Sequence, residues 1–258
     1  MSSSILSEIS VDMSQPTLLF SEDGHKVYWL GISHQTAFRC NVYLIHSGEH
    51  YILVDPGSPL HTAQVQQRVA QIIEPACITA LVLCHQDPDV AASLPAWLEL
   101  NPDLCIITSP RAHVLLPHYG CADYRYHDIE QHPVFDCGDG HELHFITASH
   151  LHSPAAFATW DPCAGFLFSG DIWAALSLDW TLVCQDFASH SQNMNMFHMD
   201  YMASNIAARG FVHKIENLPI KAILPQHGSI IPPDMVVDAL RYLKNLQCGT
   251  DILYPELS

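Results

Sequence analysis

Four short segments of the chain place a metal-capable side chain at or just behind the end of an apolar run. They are Leu83-Cys84-His85-Gln86-Asp87-Pro88-Asp89, Ser149-His150-Leu151-His152, Phe168-Ser169-Gly170-Asp171 and Leu224-Pro225-Gln226-His227-Gly228. An apolar run of this kind reads as a buried strand, and the carboxyl ends of strands are where ligands gather in α/β sheets. Imidazole and carboxylate are donors for borderline and hard cations, so His85, Asp87, Asp89, His152, Asp171 and His227 form a candidate metal set. In the first segment the alternation lets His85, Asp87 and Asp89 leave the loop together, with Gln86 and Pro88 turned away and Pro88 stiffening it. Each segment also has a plainer reading. The His-x-Asp-x-Asp string could be a polar turn in which Asp89 caps the next helix, and His150 competes with His152. Asp171 is costly to bury unless a cation or hydrogen-bond donors meet it. His227 before Gly228 would also suit a tight turn.

The elements that would carry these residues follow from periodicity. Strands are expected at 26–32, 40–47 and 51–54, ending in the turn Asp55-Pro56-Gly57-Ser58. A helix over 61–73 places Ala63, Val65, Val69, Ile72 and Ile73 on one face and feeds a strand at 80–84. Helices at 90–100, 111–116, 197–217 and 235–246 alternate with strands at 104–108, 143–148, 165–169 and 222–224. His118, Tyr119, Tyr124, Tyr126, His127 and His132 form an aromatic loop that either closes over the site or is solvated surface. Trp160, Trp173, Trp180 and Tyr201 could line a pocket mouth or fill the core, and the methionines of 194–202 suit gaps in helix packing. With no repeat or linker, one α/β domain over 17–258 behind an N-terminal tail at 1–16 is expected. Two mixed sheets packed together with helices outside would accommodate this order, and periodicity does not separate that from a doubly wound sheet.

Composition narrows the partners. The chain has 258 residues, 48% of them hydrophobic, enough for a substantial core. Its 27 acidic residues against 10 Lys and Arg give a formal charge of −17, the wrong sign for nucleic acid or an anionic membrane surface. Residues 1–16 lack the basic and apolar regions of a signal peptide. No stretch approaches the roughly 20 apolar residues of a membrane span. Nine cysteines without a CxxC pair read as reduced thiols of a cytoplasmic protein. The 18 histidines raise the expectation of a metal site without locating it.

From about residue 26 to 233 the chain resembles the metallo-β-lactamase superfamily, and within it the diiron domain of flavodiiron proteins. Lys26-Val27-Tyr28-Trp29-Leu30-Gly31 is similar to that family's first strand, Asn41-Val42-Tyr43-Leu44-Ile45 with Val54-Asp55 to its second hairpin, and Ile223-Leu224-Pro225-Gln226-His227-Gly228 to its last ligand segment. The resemblance implies an αββα sandwich of two mixed β-sheets flanked by helices. The family's ligand pattern is His-x-Glu-x-Asp-His, then a His, a bridging Asp and a final His. Carried over, His85, Asp87 and His152 would bind one iron, Asp89 and His227 the other, and Asp171 would bridge both. Leu151-His152-Ser153-Pro154 is similar to the family's Leu-His-x-Pro segment, which favours His152 over His150.

The chain departs from that pattern at three places. Asp87 replaces Glu. Val90 stands where the second metal's His belongs, leaving that metal open or completed by water or by another histidine such as His34. Nothing after Pro233 resembles a flavodoxin module, so no FMN is expected in this chain. Three His and three Asp make a half-oxygen donor set that favours two iron ions, or manganese, over zinc. The resemblance therefore implies a diiron protein that binds, senses or reduces O2 or NO. It would work with an external electron donor or a signalling partner, like the stand-alone oxygen-binding diiron proteins tied to bacterial signalling. A homodimer is also implied, although its purpose of bringing flavin to iron lapses without the flavin module. The alternatives are a zinc-type binuclear hydrolase of phosphodiesters, thioesters or lactones, and a metal-free interaction module.

Overall fold

Side chains alternate across a strand, so a strand buried on both faces must feed two different cores. That rule organises the whole molecule, here a computed structural model describing residues 6, 11–12, 14–31, 36–138 and 140–257. One sheet runs in sequence order through β1 (Thr17–Glu22), β2 (His25–Trp29), β3 (Tyr43–Ser47), β4 (His50–Val54), β5 (Ala80–Val82), β6 (Cys105–Thr108) and β7 (Arg125–Asp128). It is antiparallel as far as β4 and parallel from β4 to β7. The other, also in sequence order, contains β8 (Val134–Gly138), β9 (His141–Thr147), β10 (Phe157–Asp161), β11 (Phe166–Gly170) and β12 (Ala222–Pro225), with only β11 and β12 parallel.

Between the sheets lies a core built from Tyr43 and Ile45 of β3, Ile52 and Val54 of β4, Phe166 and Phe168 of β11, and Leu224 of β12. The intervening residues point the other way. Leu44, Leu53, Leu81 and Ile106 meet α1 (Thr62–Val69) and α3 (Leu94–Leu100) through Val65, Val69, Leu94 and Trp97. Leu167 and Ile223 meet α6 (Asn205–Ile215) and α7 (Val236–Asn245) through Phe211, Val212, Ala239 and Leu243. The result is four layers, helix–sheet–sheet–helix, and it settles the choice that periodicity left open.

Several elements differ from expectation. The helix expected at 90–100 is two, α2 (Pro88–Ala91) and α3, and the Ser93 amide between them bonds Gly57 O at 3.3 Å. The helix expected at 197–217 covers the end of one helix, which begins ten residues earlier, and the whole of another. The first, α5 (Phe187–Tyr201), starts at Asp186, whose carboxylate accepts from the amides of Ala188 and Ser189, and α6 starts at Ser204, which accepts from Ala207. Strands β1, β7, β8 and β10 were not foreseen. β10 is buried at every position and so has no polar alternation to betray it, while β7 takes Tyr126 and His127 out of the supposed aromatic loop. Leu6, within the expected tail, is 5% exposed and packs on the inter-sheet core. His34 lies outside the described residues. No helix among the described residues is long and apolar enough to cross a membrane.

Candidate metal centre

All six expected residues meet at one end of the two sheets. His85 follows β5 by a short buried run, Asp171 follows β11 directly, and His227 stands two residues beyond β12. His152 comes from the β9–β10 loop, which is closed at its base by Ala148 N–H to Ala156 O at 2.9 Å. Asp87 precedes α2 and Asp89 lies in its first turn, yet neither carboxylate is spent on capping the helix, so the capping reading fails. Two glycines make the turns possible. Gly170 has φ +56° and a Cβ there would sit 2.8 Å from Cys84 Sγ; Gly228 has φ +90° and its Cβ would meet Ala175 Cβ at 2.8 Å.

The donors sort into two groups around Asp171. Its Oδ2 lies 2.8 Å from His152 Nε2 and 3.3 Å from His85 Nε2, and Asp87 Oδ2 is 3.3 Å from that His152 nitrogen. Its Oδ1 faces the other way, 3.3 Å from His227 Nε2, which is 3.1 Å from Asp89 Oδ2. His150, the rival of His152, is exposed.

Burial and bonding test whether a cation belongs here. His85 Nε2, His227 Nε2 and Asp171 Oδ1 are buried and make no hydrogen bond despite their close neighbours. Buried polar atoms are almost always paired, so three orphans converging on two points fit a pair of cations better than a hydrogen-bonded cluster. The charges agree. Burial works against ionising Asp171, yet His85, His152 and His227 hold its carboxyl well below the usual range. Burial also pushes His152 down, but Asp171 and Asp87 overcome it and raise it to about 10. His227 is held well above its ordinary value by Asp171 and Asp89 against the same burial. The carboxylates thus favour positive charge at these imidazoles, the same field that would attract a cation.

Neighbours fix the donors' orientation. Gln86 Nε2 donates to Asp87 Oδ1 at 2.7 Å and its Oε1 accepts from Ser153 Oγ at 2.8 Å, so the residue expected to turn away orients a ligand. Gln226 Nε2 donates to Asp89 Oδ2 at 3.2 Å. His227 Nδ1 lies 3.1 Å from Arg39 O, which makes Nδ1 the donor and leaves Nε2 free for metal. Phe38 stacks on the His227 ring at 3.8 Å, and Phe197 and Tyr201 approach His152 at 5.8 and 5.9 Å. Of the four aromatics suspected of lining a mouth only Tyr201 is there; Trp160 and Trp173 are core, and Trp180 stacks on Trp29. From the aromatic loop Tyr119 alone reaches the site's backbone, donating its hydroxyl to Gln86 O at 2.6 Å.

Sequence reasoning missed Cys40. One donor atom each from Cys40, Asp89 and His227 lie within 4.8 Å of one another, as do those of His85, Asp87 and His152. Cys40 adjoins the start of an apolar strand, so a search for ligands after strands passes over it.

Layering defines a metallo-β-lactamase-type domain, and at its site two adjoining groups of side chains could each hold a metal ion. A family model described as "ODP family beta lactamase" matches residues 38–228, and the chain belongs to that family. A structure of the peroxy diiron species of the chemotaxis sensor ODP superposes with a TM-score of 0.82 at 30% identity, covering 93% of this chain and 99% of the sensor. The nitric oxide reductase of Moorella thermoacetica is 29% identical over 84% of this chain and 58% of its own length. The diflavin flavoprotein A 1 of Synechocystis sp. is 27% identical over 55% of this chain and 24% of its own. The chain spans between about a quarter and about a third of the length of the diflavin flavoproteins it matches.

Proposed function

We propose that the chain is a non-haem diiron protein that binds O2 or NO and serves as a sensor. The observation that carries this reading is Asp171, whose two oxygens address two separate donor groups while buried atoms on either side have no partner. Two ferrous ions held there would supply electrons and open coordination positions to a diatomic gas. The carboxylate-rich donor set favours iron or manganese over zinc, and the likeness to a diiron chemotaxis sensor over nearly that protein's whole length supports sensing over reduction. The protein's own contribution is to bridge, to orient and to dry the site. Asp171 fixes the spacing, Gln86 and Gln226 aim the carboxylates, and Phe38, Phe197 and Tyr201 present apolar faces that suit an uncharged ligand. The test is elemental analysis of untagged protein from cells given iron and zinc, then anaerobic titration of the reduced protein with O2 and with NO. About two irons per chain and an optical change with either gas are expected. A fully iron-loaded, reduced sample that stays silent would sink the reading. Zinc with turnover of a phosphodiester, thioester or lactone would replace it with hydrolysis.

A further inference from the structure

We infer that Cys40 is a ligand of the second metal, as its thiolate, supplying the donor that Val90 cannot. This deepens the dinuclear reading and rests on it. Around one half of Asp171 stand two imidazoles and a carboxylate, but around the other the six expected residues provide only Asp89 and His227. Val90 is fully buried in the apolar layer beneath the site, in the same cluster as Cys40, and has no atom to donate.

Cys40 is held where a donor is lacking. Its backbone pairs with His227 in an antiparallel bridge, and the next amide, Asn41 N–H, bonds Gln226 O at 2.6 Å. Asn41 Nδ2 then clamps both ends of the ligand turn, donating to Pro225 O and Gly228 O at 2.9 Å each. Together with Arg39 O at His227 Nδ1 and Phe38 over the ring, four consecutive residues lock one strap against one ligand segment. The Cys40 side chain is 8% exposed and has formed no disulfide. Independently, His227 Nε2 and Asp171 Oδ1 are buried without hydrogen bonds on this side of the site, and as both are acceptors a cation between them would satisfy both.

With Cys40 the second metal gains sulfur, nitrogen and two carboxylate oxygens, matching the four donors of the first. On binding, the thiol proton leaves to solvent as the metal–sulfur bond forms, and no electrons move. A thiolate makes this half softer than the first, so the two metals are inequivalent.

The probe is cobalt(II), titrated anaerobically into the metal-free full chain. Two equivalents should bind, one of them bringing the near-ultraviolet charge-transfer band of a thiolate ligand. Cys40→Ser should lose that band and hold one of the two ions about tenfold or more weakly. X-ray absorption of the unsubstituted, two-metal protein should show a sulfur neighbour at about 2.3 Å, which needs no variant to fold. Two bound metals with only nitrogen and oxygen neighbours, or a band unchanged in Cys40→Ser, would overturn the inference and leave the dinuclear site standing. Sulfur ligation in a protein that takes up zinc but refuses iron would support Cys40 and overturn the diiron reading instead.

Discussion

Two histidine–aspartate clusters among the described residues are built around a buried carboxylate and differ in how completely it and its imidazoles are hydrogen-bonded. Beside the core between the sheets, His25 Nε2 meets Asp161 Oδ2 at 2.7 Å and His25 Nδ1 meets Ser47 Oγ at 2.9 Å, tying β2 and β3 to β10. The other carboxylate oxygen accepts from the amides of Cys163 and Ala164, and Ser47 Oγ also reaches His141 Nδ1 at 3.1 Å. His25 and Asp161 each have a partner for every nitrogen and oxygen. At the metal centre, where His85, Asp171 and His227 are as deeply buried although Asp87, Asp89 and His152 are partly exposed, three ligand atoms are left over. Completeness of hydrogen bonding thus separates a polar clamp that holds two sheets together from a site shaped for cations.

The largest expected effect attacks the open cluster. Asp171→Ala removes the one carboxylate that both halves share, so both metals should be lost, with the optical response to O2 and NO, while circular dichroism stays native. Elemental analysis decides it, and a full metal complement in a folded variant would break the comparison. The reverse pattern is expected from the closed cluster. Asp161→Ala strands His25 and two amides without partners, which should cost about 3–5 kcal/mol in denaturant unfolding and leave metal per folded chain unchanged. Metal loss there would mean that the two clusters are not separate.

Another buried histidine belongs to the closed class. His198 accepts the Trp173 amide at Nε2, 2.9 Å away, and donates from Nδ1 to Met194 O at 2.8 Å, bracing the turn that follows Asp171. Burial is the main cause that holds it down, to about 4 from 6.5. Between those values the unfolded chain takes up a proton that the native chain refuses, so stability falls as pH falls. The slope is about 1.4 kcal/mol per pH unit, about 3 kcal/mol across the window, and nothing is contributed above it. His198→Gln removes the titration, so its deficit against the unsubstituted protein should narrow by that amount between pH 7 and 4. The metal-site histidines are common to both proteins and cancel. A deficit constant with pH would show that His198 does not resist protonation.

Much of this was legible in the residues, and the exceptions have physical reasons. Ligands that end an apolar run could be found because the chain must leave the sheet where they stand. The same pattern is met by Asp161 at the end of β10, and only the partners folded around it show that it is a clamp. Cys40 and the orienting pair Gln86 and Gln226 owe their roles to contacts 67 to 188 residues distant in sequence, such as Ser153 with Gln86 and Arg39 with His227. Local spacing carries no trace of such contacts. The first ten residues of α5 escaped notice because exposed and buried residues mix along it, whereas the break at Ser93 falls where Pro95 opens α3 and the one at Ser204 is made by a capping hydroxyl.

The smallest effect is expected where sequence offered the strongest rival. His150 stands two residues from His152, exposed, with φ +71°. Its amide bonds Ser153 O at 2.8 Å and its carbonyl accepts from Ala203 at 3.2 Å, so its backbone shapes the loop while its ring faces solvent. Alanine would strain a left-handed residue and confuse the result, but asparagine tolerates that conformation. His150→Asn should therefore change unfolding free energy by no more than about 0.5 kcal/mol and leave both metals in place, whereas His152→Asn should release the metal of the first half. Metal loss from His150→Asn alone would mean that the loop presents the other imidazole to the bound cation, and that position in the fold does not separate ligand from bystander here.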